Sequence, residues 1–130
     1  MRRTLLSLSL LAAVSTTSGC FLVAAGVGAG GAIAYTNRGA SAKVPATVDA
    51  AFDRAVSTFS AMSISETGRT TDNSGATRRL IGKLSDQEIT VEITRSSDDV
   101  SNVEVIAKRN VVDYDKDRAK EVLDKIVAAK

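Results

Sequence analysis

Hydrophobic residues between positions 48 and 62 recur at spacings of three and four. The set is Val48, Phe52, Ala55, Val56, Phe59 and Met62. On a helix with about 3.6 residues per turn, these positions share one face, and charged residues such as Asp49 and Asp53 lie outside it. The spacing predicts an amphipathic core helix that begins shortly after the single proline, Pro45.

The chain switches to a period of two over residues 63–110. Three segments alternate apolar with polar residues, and their apolar members are Leu80, Gly82 and Leu84; Ile89, Val91 and Ile93; and Val103, Val105 and Ala107. Such alternation is typical of half-buried antiparallel strands. Turn-forming residues separate the segments at 71–75, 85–86 and 96–99, and a weaker first strand is predicted to begin near Ile64.

A second helical pattern ends the chain, beginning at about Asp115. Its apolar face is formed by Ala119, Val122, Leu123, Ile126 and Val127. The predicted order is helix, about four strands, helix, which gives an α+β domain over residues 44–130. Both helices are expected to cover one face of an antiparallel sheet, and residues 36–43 are expected to form a polar loop before the domain.

The N-terminus has the pattern of a secretion signal. Two arginines, Arg2 and Arg3, precede an apolar stretch at residues 4–14 that is too short to span a bilayer. Residues 1–19 are therefore predicted to be a signal peptide, and residues 20–43 to be an N-terminal segment and linker.

Small residues precede Cys20 in the manner of a lipoprotein processing site. The stretch Thr17, Ser18, Gly19 and Cys20 resembles the bacterial lipobox, although Thr17 replaces the leucine usual at its first position. The resemblance implies that Cys20 becomes the first mature residue and carries a diacylglyceryl thioether and fatty acids such as palmitate. The alternative is that Cys20 is an ordinary thiol. An aspartate directly after the cysteine would resemble an inner-membrane retention signal, but the next residue here is Phe21. Its place there favours attachment to the outer membrane, facing the periplasm.

Residues 21–35 contain no charge and are rich in glycine and alanine. Small residues recur every four positions, with Gly26 and Gly30 on one stripe and Gly28 on its neighbour, a spacing that permits close helix packing in lipid. A flexible apolar tether is the equal alternative, because glycine weakens helices. The run at 26–31 also matches the GxGxxG pattern, but it lacks the core strand that must precede a dinucleotide site.

Charge and composition exclude several classes of function. The net charge of +2 arises from 17 basic and 15 acidic residues, and the two leader arginines account for the excess. A balanced mature chain gives no electrostatic case for nucleic-acid binding. With one cysteine and no histidine, the chain has no internal disulfide and no thiol and imidazole set for zinc.

Carboxylates offer the remaining candidate chemistry. Asp113, Asp115 and Asp117 alternate as in a calcium loop, but Arg118 occupies the place of the turn glycine, so we expect helix capping and no metal. Glu88 and Glu92 alternate with apolar strand residues and are expected to point to solvent, unlike a catalytic acid pair. We therefore expect no enzymatic activity and no cofactor.

The lipobox, the glycine run and the small α+β domain together resemble a family of short Gram-negative lipoproteins known only as a domain of unknown function. The resemblance spans nearly the whole chain and supplies no active residues. Our hypothesis is a membrane-anchored structural or protein-interaction module with an envelope protein as partner. The alternative is a binder of small apolar ligands, with a cavity between sheet and helices lined by Phe52, Phe59 and the apolar strand residues.

Overall fold

The computed structural model describes residues 32–130 of the chain. The elements, in order, are β1 (Ala34–Tyr35), β2 (Gly39–Val44), α1 (Val48–Ala61), β3 (Ser65–Asp72), β4 (Thr77–Leu84), β5 (Gln87–Ser97), β6 (Val100–Lys108) and α2 (Lys116–Ala128). The predicted signal peptide, the lipobox with Cys20, and Gly26, Gly28 and Gly30 lie outside the described residues. Within residues 32–130, neither helix combines the length and hydropathy needed to cross a bilayer.

All strands belong to one antiparallel sheet in the order β1-β2-β6-β5-β4-β3. β3 to β6 form a meander, and β2 pairs with β6 across the intervening helix and three strands. Helix α1 packs on β4 and β5, and α2 packs on β2 and β6. Both helices therefore lie on one side of the sheet, which we call the covered face, and the opposite side is the open face.

The prediction of an α+β fold with an antiparallel sheet and two flanking helices is confirmed, but the prediction of about four strands is wrong. The sheet has six strands, and two of them, β1 and β2, precede the first helix. Most of the polar loop expected at residues 36–43 is strand β2. Its inward residues Ala40 and Ala42 are buried but small. The apolar–polar alternation that predicts a strand is therefore weak in this segment.

Glycine allows β2 to approach β6 closely. A Cβ placed on Gly39 would lie 1.9 Å from the carbonyl oxygen of Val105, which no real side chain tolerates. The strand pair is completed at its other end by the buried hydroxyl of Ser101, which donates to the carbonyl oxygen of Ala46 at 2.8 Å. These contacts tie the segment before α1 into the sheet.

The covered face holds the hydrophobic core. The alternating residues predicted to face inward are buried there, except Leu84, which is partly buried. The fully buried side chains include Leu80, Ile89, Val91, Ile93, Val103, Val105 and Ala107. The predicted apolar faces of the two helices meet them, with Phe52 only 1% exposed and Leu123 fully buried. Because both helices bury their apolar stripes on one sheet face, no described element covers the other face.

Both helices begin at a side chain that caps the first turn. The hydroxyl of Thr47 accepts from the backbone N–H of Ala50 at the start of α1. Asp115 caps α2 in the same way, since its Oδ1 accepts from the N–H of Arg118 at 2.9 Å. The expected capping role of the acidic residues at this helix is therefore confirmed for Asp115.

Candidate functional site

The open face of the sheet forms a shallow concavity with a volume of about 360 Å³. Its side chains alternate with the core residues on β4, β5 and β6, and the β1–β2 turn adds Arg38 at one border. The charged members of the lining are Arg38, Arg79, Glu88, Glu92, Glu104 and Lys108. The concavity is thus a polar surface of mixed charge.

Strand register arranges this surface in parallel rows. Thr90 on β5 is aligned with Ile81 on β4 and with Ile106 on β6, so these three form a central, mostly apolar row. On one side lies the row Arg79, Glu92 and Glu104, and on the other the row Lys83, Glu88 and Lys108. A narrow apolar stripe therefore runs between two charged rows across the three strands.

The row containing Arg79 has an uneven charge balance. The Arg79 guanidinium donates twice to the Glu92 carboxylate, from Nε at 3.1 Å and from Nη2, and this bond raises the pKa of Arg79. Glu92 lies directly opposite Glu104, and like charges so placed repel. Among the described residues Glu104 has no ion pair, and its contact is a hydrogen bond from the Thr36 hydroxyl at 3.3 Å. This row thus presents one carboxylate without a cation.

The other charged row has the opposite excess, with two lysines and one carboxylate. Lys108 Nζ lies 3.0 Å from Glu88 Oε1, and both side chains are about two-fifths exposed. Lys83 lies in the same row and is exposed to solvent. The expectation that Glu88 and Glu92 point away from the core is confirmed, and both carboxylates are engaged by cations rather than held in an apolar environment.

The acidic side chains of the described residues do not converge, and Asp115 is used as a hydrogen-bond acceptor. No group of three or more acidic, cysteine or histidine side chains converges as a metal site within residues 32–130. Asp115 uses both carboxylate oxygens, since Oδ2 accepts from Gln87 at 2.8 Å. These bonds, first the one from the Arg118 N–H and then the one from Gln87, lower the pKa of Asp115.

The space between sheet and helices is filled at the two phenylalanines proposed to line a ligand cavity. The guanidinium of Arg78 lies 3.7 Å from the centroid of the Phe52 ring and closes over it. A Cβ on Gly82 would lie 2.7 Å from the ring of Phe59 and from Ile64. Even a methyl group therefore has no room beneath Phe59.

The outer edge of the sheet at β3 is a second exposed feature. All eight residues of β3 are polar or glycine, and nearly all are exposed. The register shifts between Glu66 and Gly68, which marks a bulge, and Arg69 forms a bidentate ion pair with Glu66 at 2.6 and 2.7 Å. Charge and a bulge are features that keep edge strands from pairing with other chains, so β3 is protected.

The sequence predicted the buried residues of the strands and the outward direction of Glu88 and Glu92, but it did not indicate which residues lie beside them on the open face. Period-two alternation implies that the residues between the buried ones share the other face, so Thr90, Glu104 and Ile106 could have been assigned to that face, although their positions relative to one another require the strand register. Arg38 could not be assigned to the site because residues 36–43 are predicted to form a loop, whereas β1 and β2 pair and bring the turn between them to the border of the concavity. Arg78 and Arg79, adjacent in sequence, point to opposite faces and do not form one basic patch.

Comparison with known proteins places the chain by family. A family model described as "protein of unknown function (DUF3568)" matches residues 3–128, and the chain belongs to this family. No curated protein matches the chain.

Proposed function

We propose that this member of the DUF3568 family is a lipid-anchored protein of the bacterial envelope whose domain acts as a non-enzymatic protein-interaction module. The observation that supports this proposal best is the open face, where two charged rows flank an apolar row in a concavity of about 360 Å³. The sequence supports the anchor, through the leader and the residues before Cys20. The proposed location is the outer membrane, on its periplasmic side.

The chemistry of the open face favours a polar macromolecular partner. Charged rows that are half-exposed set orientation and specificity in protein interfaces more than they set affinity. A central stripe of Ile81, Thr90 and Ile106 offers apolar contact that becomes dry only when a partner covers it. The carboxylate of Glu104 offers an acceptor for a cation from that partner, because no described residue neutralises it.

The same features argue against catalysis. A hydrolase with two carboxylates needs one acid whose pKa is raised by an apolar site. Here Glu92 is bonded to Arg79 and Glu88 to Lys108, both at a partly exposed surface. The packing around Phe52 and Phe59 gives no support to the alternative of an apolar-ligand cavity.

Site-specific photocrosslinking in intact membranes tests the interaction surface. A photoreactive residue replaces Thr90, at the centre of the open face, and in a matched control it replaces Asp53, which is exposed on α1. We expect a discrete adduct from position 90 and none from position 53. Glu104→Arg should weaken the adduct at matched expression, while Asp53→Arg, the same kind of charge reversal on the exposed side of α1, should not. Equal adducts from both positions would contradict the proposal.

The anchor has its own test. Cys20→Ser should abolish labelling by a radioactive fatty acid and release the protein from membranes. The domain should keep its melting temperature, because its core is built from residue 40 onward. Label that persists on the variant would show that the lipid is attached elsewhere.

A further inference from the structure

Two adjacent valines in the loop between β6 and α2 are the most exposed large apolar side chains among residues 32–130. Val111 is 82% exposed and Val112 is 83% exposed. The remaining exposed large hydrophobic residue in this part of the chain is Tyr35, at 56%. Single exposed apolar residues are ordinary, but two branched aliphatic side chains side by side at a loop apex call for a physical account.

The loop holds these side chains outward. Lys108 and Tyr114 form an isolated bridge at its base, and the N–H of Arg109 donates to the carbonyl oxygen of Asp113 at 3.0 Å. Inside the loop, Asn110 Oδ1 accepts from the N–H groups of Val112 and Asp113 at 3.1 and 3.0 Å. We call residues 110–113 the valine tip. Its backbone is fixed by these bonds, so the valines do not need to be ordered when they meet a surface.

The valine tip and Tyr35 lie at the same end of the domain. Tyr35 pairs with Ala40, next to Gly39, which pairs with Ile106 near the end of β6. The Tyr35 hydroxyl donates to Asp117 in the first turn of α2, at 3.5 Å. One end of the molecule therefore carries all three exposed large apolar side chains of the described chain.

Arg109, the cation beside the valine tip, is surrounded by three carboxylates of the protein. Arg109 lies 3.2 Å from Asp86, 3.6 Å from Asp115 and 3.7 Å from Asp113. A surface of this kind is not attracted to anionic lipid by its charge, and its affinity must come from the aliphatic groups. Protein interfaces concentrate their binding energy in tryptophan, tyrosine and arginine, whereas valine is under-represented there. The residue types at the tip therefore favour acyl chains over a protein pocket.

We propose that the valine tip inserts into the surface of the bilayer that holds the lipid on Cys20. This inference rests on the proposed anchor. At about 3.3–3.6 Å per residue, the chain from Cys20 to Ala32 spans at most about 40 Å, so the domain stays close to the headgroups. Binding by the tip is then intramolecular, and a contact too weak to hold a free protein suffices to orient a tethered one. Contact at this end sets which parts of the open face are presented to the periplasm.

The chain contains no tryptophan, which makes a single introduced indole a specific reporter. The lipidated full-length protein is purified from membranes and reconstituted into phosphatidylcholine vesicles, with Val112→Trp in one sample. Asp99→Trp is the matched control, since Asp99 is exposed in the β5–β6 turn at the opposite end of the sheet. We expect a blue shift of emission and quenching by brominated acyl chains for Val112→Trp and neither for Asp99→Trp. Adding Val111→Asp to Val112→Trp should reduce both effects.

The outcomes separate this inference from the anchor on which it rests. Protein that floats with the vesicles but gives the same unshifted emission at both positions overturns the tip contact and leaves the anchor standing. Protein that does not float overturns the anchor, and the tip contact with it. A shift that appears only when phosphatidylglycerol is added would assign the contact to charge, and would contradict insertion driven by the aliphatic groups. Unchanged melting temperatures of the variants confirm that the comparison is made between folded proteins.

Discussion

The covered and open faces of the sheet are made by the same strands, but they differ in the burial and polarity of their side chains. Along β5, Ile89, Val91 and Ile93 are fully buried beneath the helices, whereas the intervening Glu88, Thr90 and Glu92 are half-exposed. Burial of apolar side chains stabilises a fold in proportion to the area removed from water. Ion pairs at an exposed surface contribute little to the free energy of unfolding. The comparison indicates that stability is concentrated on the covered face, so that substitutions on the open face should cost the fold little.

The largest expected effect comes from the covered face. Phe52→Ala removes a ring that is 1% exposed and that stacks under the Arg78 guanidinium at 3.7 Å. Truncation of a buried phenylalanine costs about 3–5 kcal/mol, a large share of a small domain's stability. Chemical denaturation of the full chain measures this loss as a lower midpoint.

Ile81→Ala is the matched change on the open face. Ile81 is half-buried in the central row and is not covered by a helix, so its truncation should cost clearly less than that of Phe52. If the two variants lost equal stability, the open face would have to be buried as deeply as the core, and the division between the faces would fail.

Two glycines in neighbouring strands test the packing of the covered face with a single added methyl group. A Cβ on Gly82 would lie 2.7 Å from both Phe59 and Ile64, and 2.9 Å from the Ser65 carbonyl oxygen. Overpacking of this kind costs about 1–3 kcal/mol, so Gly82→Ala should lower the melting temperature. Gly68→Ala, where nothing lies within 4 Å, should leave it nearly unchanged. Equal melting of the two variants would mean that α1 is not packed tightly on β4.

The division between the faces could be predicted where side chains are large. In β4, β5 and β6, leucine, isoleucine and valine alternate with polar residues, so both the strands and their buried faces were predicted correctly. The capped start of α2 followed from Asp115 in the same way, because acidic residues favour helix N-termini.

β2 escaped prediction because its packing depends on partners distant in sequence. Ala40 and Ala42 are buried by α2 and β6, but alanine carries a weak hydrophobic signal and Gly39 is typical of a linker. The concavity could not be predicted either, since it requires the register that aligns Thr90 with Ile81 and Ile106. Its border residue Arg38 depends on the missed strand pair.

The cap of α2 gives a smaller effect that depends on pH. Replacement of an aspartate N-cap by alanine costs about 0.5–2 kcal/mol, so Asp115→Ala should lower stability by this amount at pH 7. Hydrogen bonds in the folded state hold the pKa of Asp115 below its ordinary value of 3.8, so the unfolded chain takes up the proton first. The stabilisation is complete above pH 3.8 and is lost as the pH falls through the lower folded pKa.

Urea titrations between pH 7 and pH 2 should therefore show the difference between wild type and Asp115→Ala shrinking only at the acid end. Asp115→Asn is the control, because asparagine caps helices without a carboxyl group to titrate. A difference that is constant over the whole range would assign the loss to packing and not to the ionised cap.

The smallest effect on stability is expected on the open face, where the effect on binding should be greatest. Arg79 and Glu92 form an ion pair with side chains 41% and 35% exposed. Arg79→Glu or Glu92→Arg alone should cost no more than about 1 kcal/mol, and the double variant, which restores the pair with its charges exchanged, should melt close to wild type.

A partner that recognises the charged rows would still meet the wrong signs, so the crosslink from position 90 should be lost in all three proteins. If the double variant recovers both stability and the crosslink, the pair serves the sheet alone and the partner does not recognise this row. Recovery of stability without the crosslink separates the two faces in one experiment, since the sheet then tolerates an exchange of charge that the partner does not.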